Sequence, residues 1–544
     1  MDVCEHTIPL TNKLMADYME SNPHTSSFFH YTPYEMSSYD ARIEELNTYD
    51  FPREALVQYL EAFNQKIDAD EKTLHNIQRL GDSTSVVVIG GQQAGLLTGP
   101  IYTINKIITI IQQAKQMEER LNRPVLPVFW IAGEDHDFAE VNHTFIEKNG
   151  QIRKHSVGQK WPNKYSVSDV EIDKTACIKW IEKLFIHFGE TAFTNNIMEK
   201  LSGCLDISTT YVDFFARILF LLFKDTGLIL IDSGDKDLRR IEVPYFQRQI
   251  QLNAEIDEAL NRQQAKLVEY NQDKMIDTDF GTAHLFYHVN GERILLQREQ
   301  RDGIVYFEGK QKGFSFTEYD LLNLVQSNPE CFSNNVVTRP IMQDFLFPTL
   351  SFIAGPGEIA YWAELKEVFE VYDRKMPPVF PRLVTTIIEG PVRRDIQHLN
   401  ISIDEILQKG VSGRKEEYLE LLKDSNITDE IQAMKNGLNT HYEVLKQSAI
   451  GIHDSLSHVV TKNEIIIRDQ LDYLEKEFYK QIQRKNKVTI QRYDKIQNSI
   501  KPDGQPQERM LNIFYFVNVY GFSIITRILE ETSSSEYTHK ILHV

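Results

Sequence analysis

The 544-residue sequence predicts an α/β protein with a buried parallel sheet, followed by a long helical region. Short runs of β-branched residues recur along the first 390 residues, and such continuous apolar runs are typical of strands buried on both faces. From about residue 426, apolar residues recur instead every three or four positions, which is the pattern of a helix that packs against another helix. These two patterns together indicate the fold class.

The size and charge of the chain limit its organisation and its partners. A chain of this length exceeds what a single hydrophobic core usually serves, so two or three domains are expected. The formal net charge of −19 argues against sequence-independent binding to nucleic acid, which needs lysine and arginine to neutralise phosphates. It argues equally against adhesion to an anionic membrane surface. We therefore expect no nucleic acid and no membrane as partners.

The cysteine content and the amino-terminal sequence favour a cytoplasmic protein. The four cysteines, at positions 4, 177, 204 and 331, form no CxxC pair and no zinc-like spacing with histidine, which indicates reduced thiols. The first residues lack the basic and apolar regions of a signal peptide. No run approaches the roughly 20 apolar residues of a membrane-spanning helix.

The first predicted β-α-β unit begins with the run Val86–Ile89, which ends at Gly90-Gly91. The helix Tyr102–Arg120 follows, with isoleucines at helical spacing, and a second apolar run covers Pro124–Ile131. Such units normally cross over with a right hand. Further strands are predicted at Leu228–Ile231, Leu350–Ala354 and Val379–Ile388.

Two segments between these strands do not follow the parallel pattern. The segment 284–297 is typical of an antiparallel hairpin, and its turn, Asn290-Gly291, is a pair that favours the type I′ conformation. The segment 151–220 is expected to be a helical insertion.

The region beyond residue 426 is predicted to be helical as far as Ser499. An unbroken helix of that length would reach roughly 110 Å. Gly437 and Gly451 each weaken a helix interior by about 1 kcal/mol, which leaves room for a break. The apolar stripe is too narrow for a globular core, so it needs a partner helix from the same chain or from a second chain. Other helices are predicted at Arg394–Leu407, Lys415–Lys423 and Leu511–Leu529.

The patterns divide the chain into seven segments. The core is predicted to comprise 1–150, 221–270 and 331–390. A helical insertion, 151–220, and a small antiparallel insertion, 271–330, interrupt it. A helical coiled-coil domain, 391–500, follows, and a C-terminal helix in 501–544 is expected to pack back on the core.

Small and acidic residues follow four of the predicted strands. In an open parallel sheet, ligands bind beyond the carboxyl ends of the strands, near the point where the strand order reverses. We therefore expect the four loops to line one crevice, which is the main argument from the residues for an enzyme. The loops are Gly90–Gln93, Gly133–Asp137, Asp232–Asp235 and Gly355–Glu358.

The loop between Gly90 and Pro100 is rich in glycine and precedes a helix. Glycines let backbone N–H groups approach an anion, and the helix adds its positive end. The loop matches neither the Walker A motif nor GxGxxG. The alternative is a tight turn whose glycines allow close packing of strand and helix. The candidate substrate- or anion-binding residues of this region are Gly91, Gln92, Gln93, Thr98, Tyr102 and Lys106.

The loop after the second strand concentrates carboxylates and histidines. Adjacent carboxylates repel, so some are expected to have raised pKa values if they are buried. His136 is a candidate general base or ligand-orienting donor, and Glu134 and Asp137 are candidate catalytic carboxylates. One alternative is a solvated acidic loop with a capping aspartate. Another is a metal site at His136, Glu140 and His143, but their order is not HExxH, and we expect no metal.

Three further positions are candidates for ligand binding. Asn335 and Arg339 lie in a dense polar run that suits hydroxyl-rich or carboxylate ligands. Glu358, Tyr361 and Trp362 begin a helix, where the alternative is a helix cap followed by aromatic core residues. The Arg509 side chain is a candidate for nucleotide binding, with an interdomain salt bridge as the alternative.

Four long stretches of the sequence resemble the BshC family of bacillithiol biosynthesis. They are Gly91–Thr103, Pro127–Asp137, Gly355–Trp362 and Gln507–Arg509, and the resemblance extends over the whole chain. It implies a Rossmann-like core related to nucleotidyltransferases and class I aminoacyl-tRNA synthetases, with two insertions and a coiled-coil domain that forms a homodimer. It also implies a ligase that joins cysteine to glucosaminyl-malate through an amide bond, in the last step of bacillithiol biosynthesis.

An amide made from a carboxylate and an amine needs activation, for which ATP with magnesium is the natural source. We hypothesise that Gly91–Pro100 and Lys106 hold an anionic ligand, while His136 and Asp137 orient the amine or the attacked carboxylate. The substitution His136→Ala should then abolish turnover and leave the fold intact. The alternatives are a nucleotidyltransferase or adenylate-forming enzyme on another small substrate, a catalytically inactive dimeric scaffold, and a metallohydrolase.

Overall fold

The computed structural model describes residues 1–7, 12–148, 150–161, 164–309, 313–423, 425–532 and 537–544. These residues form two compact units, each of which is described by itself. The core unit comprises Met1–Lys148, Ile152–Ile387 and Gln507–Leu542. The arm unit comprises Asn149–Gln151, Ile388–Pro506 and His543–Val544.

The strands of the described residues are numbered here in chain order. They are β1 Asp2–His6, β2 Val86–Gln92, β3 Val125–Ile131, β4 His143–Lys148, β5 Gln151–Ser156, β6 Ile229–Asp232, β7 Thr282–Val289, β8 Glu292–Arg301, β9 Ile304–Gly309, β10 Ser315–Thr317, β11 Phe332–Asn334, β12 Thr349–Ala354, β13 Val379–Pro381, β14 Val384–Ile388 and β15 His539–His543.

The α-helices of the same residues are numbered likewise. They are α1 Lys13–Met19, α2 Pro23–Ser26, α3 Met36–Leu46, α4 Arg53–Lys66, α5 Glu71–Arg79, α6 Ile101–Leu121, α7 Phe138–Val141, α8 Lys174–Phe188, α9 Thr194–Ile207, α10 Tyr211–Leu222, α11 Lys236–Gln251, α12 Asn253–Glu269, α13 Glu318–Ser327, α14 Arg339–Leu346, α15 Pro356–Trp362, α16 Lys366–Val371, α17 Gly390–Leu399, α18 Ile403–Lys409, α19 Ser412–Leu421, α20 Ser425–Ile452, α21 Asp454–Lys485, α22 Lys487–Ile500, α23 Gln507–Met510, α24 Ile513–Tyr520 and α25 Ser523–Glu531.

A parallel sheet of five strands forms the centre of the core unit, in the order β13-β12-β2-β3-β6. Every residue of β3, β6 and β12 is buried, which explains their continuous apolar sequences. The helix α6 connects β2 to its neighbour β3, whereas β12 lies on the other side of β2. The strand order therefore reverses between β2 and β12, as in a Rossmann-like fold. The predicted parallel core is confirmed.

The close packing of this sheet explains two of the glycines in the first loop. A Cβ atom on Gly91 would lie 2.8 Å from the carbonyl oxygen of Trp130 on the paired strand β3. A Cβ atom on Gly90 would lie 3.0 Å from the carbonyl oxygen of Ile353 on β12. Both glycines allow the neighbouring strands to approach, which is the packing alternative weighed for this loop.

An antiparallel sheet, in the order β10-β9-β8-β7-β11, lies between α12 and α14 in the chain. Its hairpin β7–β8 turns at Asn290 and Gly291, whose φ angles are 51° and 82°. Positive φ at both central residues is the mark of a type I′ turn, so the predicted hairpin is confirmed. The sheet is larger than the predicted hairpin because β9, β10 and β11 extend it on both sides.

Three predicted elements are divided in the structure. The strand predicted at Val379–Ile388 is two strands, β13 in the central sheet and β14 in a separate sheet of order β1-β15-β14. The helix predicted at Leu511–Leu529 is α24 and α25, which bend by 109° around Gly521, where φ is 75°. The helix predicted at Arg394–Leu407 is α17 and α18, because Asn400 ends the first in the left-handed conformation.

Within the described residues, no single helix is long and apolar enough to cross a membrane, and only the bent pair α24 and α25 meets the criteria of length and composition together. The apolar side chains of this pair, including Ile513, Phe516 and Ile525, are buried within the core unit.

The arm unit contains a hairpin of two long helices. The chain ends α20 at Ile452 and begins α21 at Asp454, with His453 in an extended conformation between them. The ion pairs Lys435–Asp472 and Lys446–Glu464, each 2.7 Å, join the two helices and show that they are antiparallel. The break that the glycines left open therefore occurs at His453, close to Gly451, and the partner helix is supplied within the chain.

Candidate functional site

A cavity of about 620 Å³ lies where the strand order of the central sheet reverses. Its walls come from the ends of β2, β3 and β12, from α6, α14 and α15, and from the antiparallel sheet. This volume is typical of a site for a small molecule. The predicted convergence of strand-end loops is therefore present for three of the four loops, while the loop at Asp232–Asp235 lies outside the lining.

The cavity carries an excess of positive charge although the whole chain is strongly acidic. Its lining contains two acidic residues, Asp135 and Glu358. The basic residues of the lining are Lys106, Arg293, Arg339, Arg382 and Arg509. Five cations against two carboxylates leave three positive charges in excess, which favours an anionic ligand.

Lys106 reaches the cavity from the second turn of α6 and is held by three oxygens. Its Nζ donates to the carbonyl oxygen of Gly91 at 2.7 Å, to Oε1 of Gln92 at 3.3 Å and to Oε2 of Glu358. Burial lowers the pKa of Lys106, and the neighbouring carboxylate of Glu358 acts in the opposite direction. Glu358 Oε2 also accepts from the N–H of Gly355 at 2.7 Å, which is the capping role expected at the start of α15.

Arg339 joins the two carboxylates that follow β3. Its Nε lies 2.6 Å from Oε1 of Glu134, and its Nη2 lies 2.5 Å from Oδ1 of Asp135. Glu134 is fully buried behind this arginine and pairs also with Arg239 at 2.8 Å. Burial acts to raise the pKa of Asp135, but Arg339 and then Arg293 outweigh it and hold that pKa below its ordinary value. Of the two carboxylates that Arg339 joins, Asp135 is therefore the one that lines the cavity.

Arg293 brings the antiparallel sheet into the site. Its guanidinium lies 3.8 Å from the ring centre of Phe286 and donates to Oγ of Ser333 at 2.9 Å. Burial lowers its pKa to about 10. Its Nη1 lies 3.4 Å from Nδ1 of His136, and burial together with this charge lowers the pKa of His136. His136 is half-buried behind Arg293 and is therefore uncharged at neutral pH.

Arg382 and Arg509 are two further basic residues of the lining. Arg382 makes two hydrogen bonds of 2.6 Å to the buried carboxylate of Glu508, which also accepts from Nδ2 of Asn105 at 2.7 Å. The side-chain amide of Gln507 bonds both backbone groups of Ile387 at 2.8 Å. These contacts fix α23 and leave the next side chain, Arg509, exposed at the cavity.

The glycine-rich loop is covered on the side where an anion was expected. The N–H of Ile101, at the start of α6, donates to the carbonyl oxygen of Leu511 at 3.0 Å. Asn512 Nδ2 donates to the carbonyl oxygens of Leu97 and Gly99, both at 2.9 Å. The segment that precedes α24 therefore occupies the amino end of α6, and the loop beyond Gln93 lies outside the cavity lining.

The structure brings most of the predicted binding residues together. Those that line the cavity are Gly91, Gln92, Gln93, Tyr102, Lys106, Asn335, Arg339, Glu358, Tyr361 and Arg509. Their roles in binding stay predictions, since no ligand is part of the structure.

Five of the predicted site residues lie elsewhere, for identifiable reasons. Thr98 is buried in the covered loop, and Trp362 stacks on Phe352 in the core, with ring centres 4.2 Å apart. Asp137 is exposed and accepts from the N–H of Ala139 at 3.0 Å, so it caps α7. The other two are Glu134 and His136, which lie behind the two arginines that face the cavity.

No group of three or more histidine, cysteine, aspartate or glutamate side chains in the described part of the chain is arranged to hold a metal ion. His136, Glu140 and His143 therefore do not form the metal site that was weighed as an alternative. His143 Nδ1 instead lies 3.3 Å from Oδ1 of Asn142.

The lining also contains residues that were not among the predicted site residues, including Asp135, Phe286, Arg293 and Arg382. Asp135 stood within the acidic loop, but its neighbours were preferred. Arg382 directly follows β13, and a basic residue at a strand end was an available signal. Phe286 and Arg293 belong to the antiparallel sheet, and its position beside the cavity depends on long-range packing that no local pattern reveals.

Comparisons with known proteins cover the whole chain. Residues 1–383 match the family model described as "Bacillithiol biosynthesis BshC, N-terminal Rossmann-like domain", and residues 385–544 match its "C-terminal coiled-coil domain". Proteins named "Putative cysteine ligase BshC" are 39% identical in Bacillus cytotoxicus and 38% identical in Geobacillus thermodenitrificans. In both cases the match covers 100% of this chain and 100% of the relative. The chain, with its Rossmann-like core and helical arm, therefore belongs to the BshC family of bacillithiol biosynthesis.

Proposed function

We propose that this protein is a ligase that joins the carboxyl group of cysteine to the amine of glucosaminyl-malate, in the last step of bacillithiol biosynthesis. The name of its full-length relatives supports cysteine as one substrate. The observation that carries the proposal is the basic cavity at the reversal of the strand order. Both proposed substrates carry carboxylates, which match the excess of positive charge in its lining.

The arrangement of the lining suggests how the substrates are oriented. Arginine forks bind carboxylates with two parallel hydrogen bonds, as Arg382 does with Glu508, and the exposed Arg509 presents a further fork to the cavity. Asp135, held ionised by Arg339, is suited to accept hydrogen bonds from an ammonium or hydroxyl group. His136 lies outside the lining and contacts Arg293, so its proposed part in turnover is to orient that guanidinium toward the ligand.

We propose ATP with magnesium as the source of activation. The cavity is large enough for a nucleotide beside a small substrate, and its positive lining fits a triphosphate. Arg509 would contact the phosphates, since the amino end of α6 is occupied by Leu511 and Asn512. ATP would supply the phosphoryl or adenylyl group that turns the cysteine carboxylate into an acyl donor. Magnesium bound to nucleotide keeps several waters and needs few protein ligands.

The test is to mix purified protein with cysteine and glucosaminyl-malate, with and without ATP and magnesium, and to measure the ligated thiol by mass spectrometry. Product that depends on ATP supports both parts of the proposal. Product without ATP retains the ligase and rejects the cosubstrate. No product in the complete mixture contradicts the proposed function.

A matched pair of variants links this activity to the cavity. The change Arg509→Ala removes a cavity cation, and the loss of a charge-assisted hydrogen bond should raise the KM of the anionic ligand about tenfold or more. Arg240→Ala is the control, because Arg240 is exposed on α11 and pairs only with Asp237 among the contacts of the described residues. Equal KM values for Arg509→Ala and Arg240→Ala would show that Arg509 does not bind the ligand.

We propose that the arm unit forms the homodimer. Its hairpin leaves large apolar side chains exposed on both helices, including Val444 at 64% and Val459 at 60% of their full area. Apolar surface of this extent on a two-helix hairpin supports a further helical partner. A second copy of the hairpin offers the same surface in a symmetric arrangement.

We also propose that the protein acts in the cytoplasm. All four cysteines are free, and burial raises the pKa of Cys177 to about 12, which keeps that thiol protonated and unreactive. Free cysteines throughout a chain of this length support a reducing compartment.

A further inference from the structure

His284 has an unusual backbone conformation for a fully buried histidine. Its φ angle is 52°, in the left-handed region, at a point where the register between β7 and β8 shifts. Its carbonyl oxygen accepts from Nε2 of Gln249 at 2.9 Å and from Oγ1 of Thr338 at 3.0 Å. Strained conformations persist only where surrounding contacts fix them, and they are concentrated at functional sites.

The side chain of His284 contacts Asn335, which lines the cavity. The orientation of the Asn335 amide is fixed by its oxygen, because Oδ1 accepts from the N–H groups of Val337 at 2.9 Å and Thr338 at 3.2 Å. Backbone N–H groups are donors only, so the amide nitrogen must point the other way. It lies 3.0 Å from Nδ1 of His284.

This contact determines which nitrogen of His284 carries the proton. Because Asn335 Nδ2 is a donor, Nδ1 of His284 accepts, and the proton is on Nε2. Nε2 lies 3.5 Å from Oδ1 of Asp257, whose other oxygen accepts from the N–H of Gly281 at 3.0 Å. A carboxylate on the far side of a histidine favours this tautomer. Nε2 makes no hydrogen bond among the described residues, so Asp257 acts on it through the charge of its carboxylate, and His284 in turn contacts Asn335 at the cavity.

We propose that Asp257 and His284 are positioning residues that hold the Asn335 amide so that its second N–H is offered to a carboxylate or carbonyl oxygen of the ligand. Among the described residues, the contact of Asn335 Nδ2 with Nδ1 of His284 uses one of the two hydrogens on that nitrogen. The identity of the ligand rests on the proposed function, whereas the positioning itself does not.

The substitution Asp257→Asn tests this arrangement without changing volume. The N–H of Gly281 keeps the amide oxygen of the new side chain, so its NH₂ group faces Nε2 of His284. Nε2 must then accept, the proton moves to Nδ1, and that N–H opposes the amide of Asn335. We expect the KM of one substrate to rise about tenfold, with kcat nearly unchanged, because one hydrogen bond to the ligand is lost.

The same test is repeated in a protein that already carries His284→Asn. Asparagine tolerates the left-handed conformation and offers an oxygen near the position of Nδ1, but it has no tautomers. We expect this variant to keep the wild-type KM, and Asp257→Asn to have no further effect within it. An equal rise in KM in both backgrounds would overturn the proposal.

Nitrogen chemical shifts of ¹⁵N-labelled histidine provide a readout that does not depend on turnover. The pair of signals lost in His284→Asn identifies His284. Its unprotonated nitrogen should be Nδ1 in the native protein and Nε2 in Asp257→Asn, and no change between the two would overturn the proposal. If the native protein makes no ligated thiol, the proposed function fails, while these shifts still decide the positioning.

Discussion

Arg339 is the residue on which both carboxylates after β3 depend, because its fork reaches Glu134 and Asp135 together. A lysine offers one ammonium group and cannot replace both contacts. We expect Arg339→Lys to lower the free energy of unfolding by about 1–3 kcal/mol and to reduce turnover. Calorimetry and the ligation assay measure the two effects.

Arg262→Lys is the control for this change, because Arg262 also pairs with a carboxylate, Glu367, but is exposed. An exposed pair contributes little, so the free energy of unfolding should change by less than about 0.5 kcal/mol. Similar losses in the two lysine variants would show that the fork of Arg339 has no special role.

Asp232 should make stability depend on pH. Burial raises the pKa of Asp232 to about 7, well above the usual range of a carboxyl group, so between that range and pH 7 the folded state keeps a proton that the unfolded state has released. The stability from this group is complete below the unfolded pKa and is lost as pH rises through about 7. Asp232→Asn keeps an oxygen for Gly234 and Ser168 and removes the titration.

We therefore expect Asp232→Asn to raise the melting temperature relative to the native protein more near pH 8 than near pH 6. Asp237→Asn, on the exposed side of α11, should show no such difference. A difference in melting temperature between Asp232→Asn and the native protein that does not change with pH would contradict the raised pKa of Asp232.

The cavity residues that could be identified from the sequence are those whose neighbours in the chain already indicate a ligand site. Arg339 and Glu358 lie in the first turns of helices, beside a proline and a glycine, and Lys106 lies in the second turn of the helix after the glycine-rich loop; all three line the cavity. Arg293 was not identified because it lies inside the strand β8, where no neighbouring residue marks a ligand site, and only the packing of the antiparallel sheet buries it beside the cavity. Asp137 was preferred to Asp135 because sequence cannot tell a capping carboxylate from one that faces a ligand.

At the scale of elements, the pairing of β2 with β3 depends on glycine. A Cβ atom at Gly91 would lie 2.8 Å from the backbone of Trp130, which must then move. We expect Gly91→Ala to lower the free energy of unfolding by about 1–3 kcal/mol, as overpacking usually does. Denaturant unfolding monitored by circular dichroism measures the change.

Gly357 offers a matched control in the same cavity. A Cβ atom there meets no atom within 4 Å, and the residue lies in the helix α15. Gly357→Ala should be neutral or stabilise by up to about 1 kcal/mol. A loss of stability equal to that of Gly91→Ala would show that strand packing does not explain Gly91.

The helical hairpin of the arm unit gives a prediction about assembly. Charged residues at exposed apolar positions would block a helical interface without disturbing the hairpin. We expect the double change Val444→Asp and Val459→Asp to convert a dimer into a monomer with unchanged helix content. Light scattering after size-exclusion chromatography measures the mass, and Lys462→Asp, at an exposed polar position, is the control.

The outcome that contradicts the arm proposal is a dimer that survives the double change, or a native protein that is monomeric. The sequence could predict the apolar stripe of this region but not its partner. Gly451 marked the approximate place of the break, yet the repeating pattern is equally compatible with a helix from the same chain or a second chain. The long-range ion pairs that decide the question are not visible in the local pattern.

At the scale of the whole molecule, the small and acidic residues that follow the predicted strands indicated the position of the cavity better than the strands themselves did. Three of the four loops of small and acidic residues do converge on one cavity, because parallel strands end at the same edge of their sheet. The separation of β14 from β13 was not predictable, since β14 pairs with β15 near the end of the chain, in a sheet that β1 completes from the beginning of the chain. Local sequence patterns therefore predict parallel β-α-β units well, but they do not predict sheets whose strands are far apart in the chain.

The most direct test of the central claim, that this cavity is the site of ligation, is the rate of ligated-thiol formation by Lys106→Met. Methionine keeps the shape of the side chain and removes the charge held between Gly91 and Glu358. Lys236→Met, at an exposed position, is the control. We predict that Lys106→Met, in protein shown to be folded by circular dichroism, lowers kcat/KM about a hundredfold or more, while Lys236→Met is unchanged. Native rates for Lys106→Met would contradict the claim.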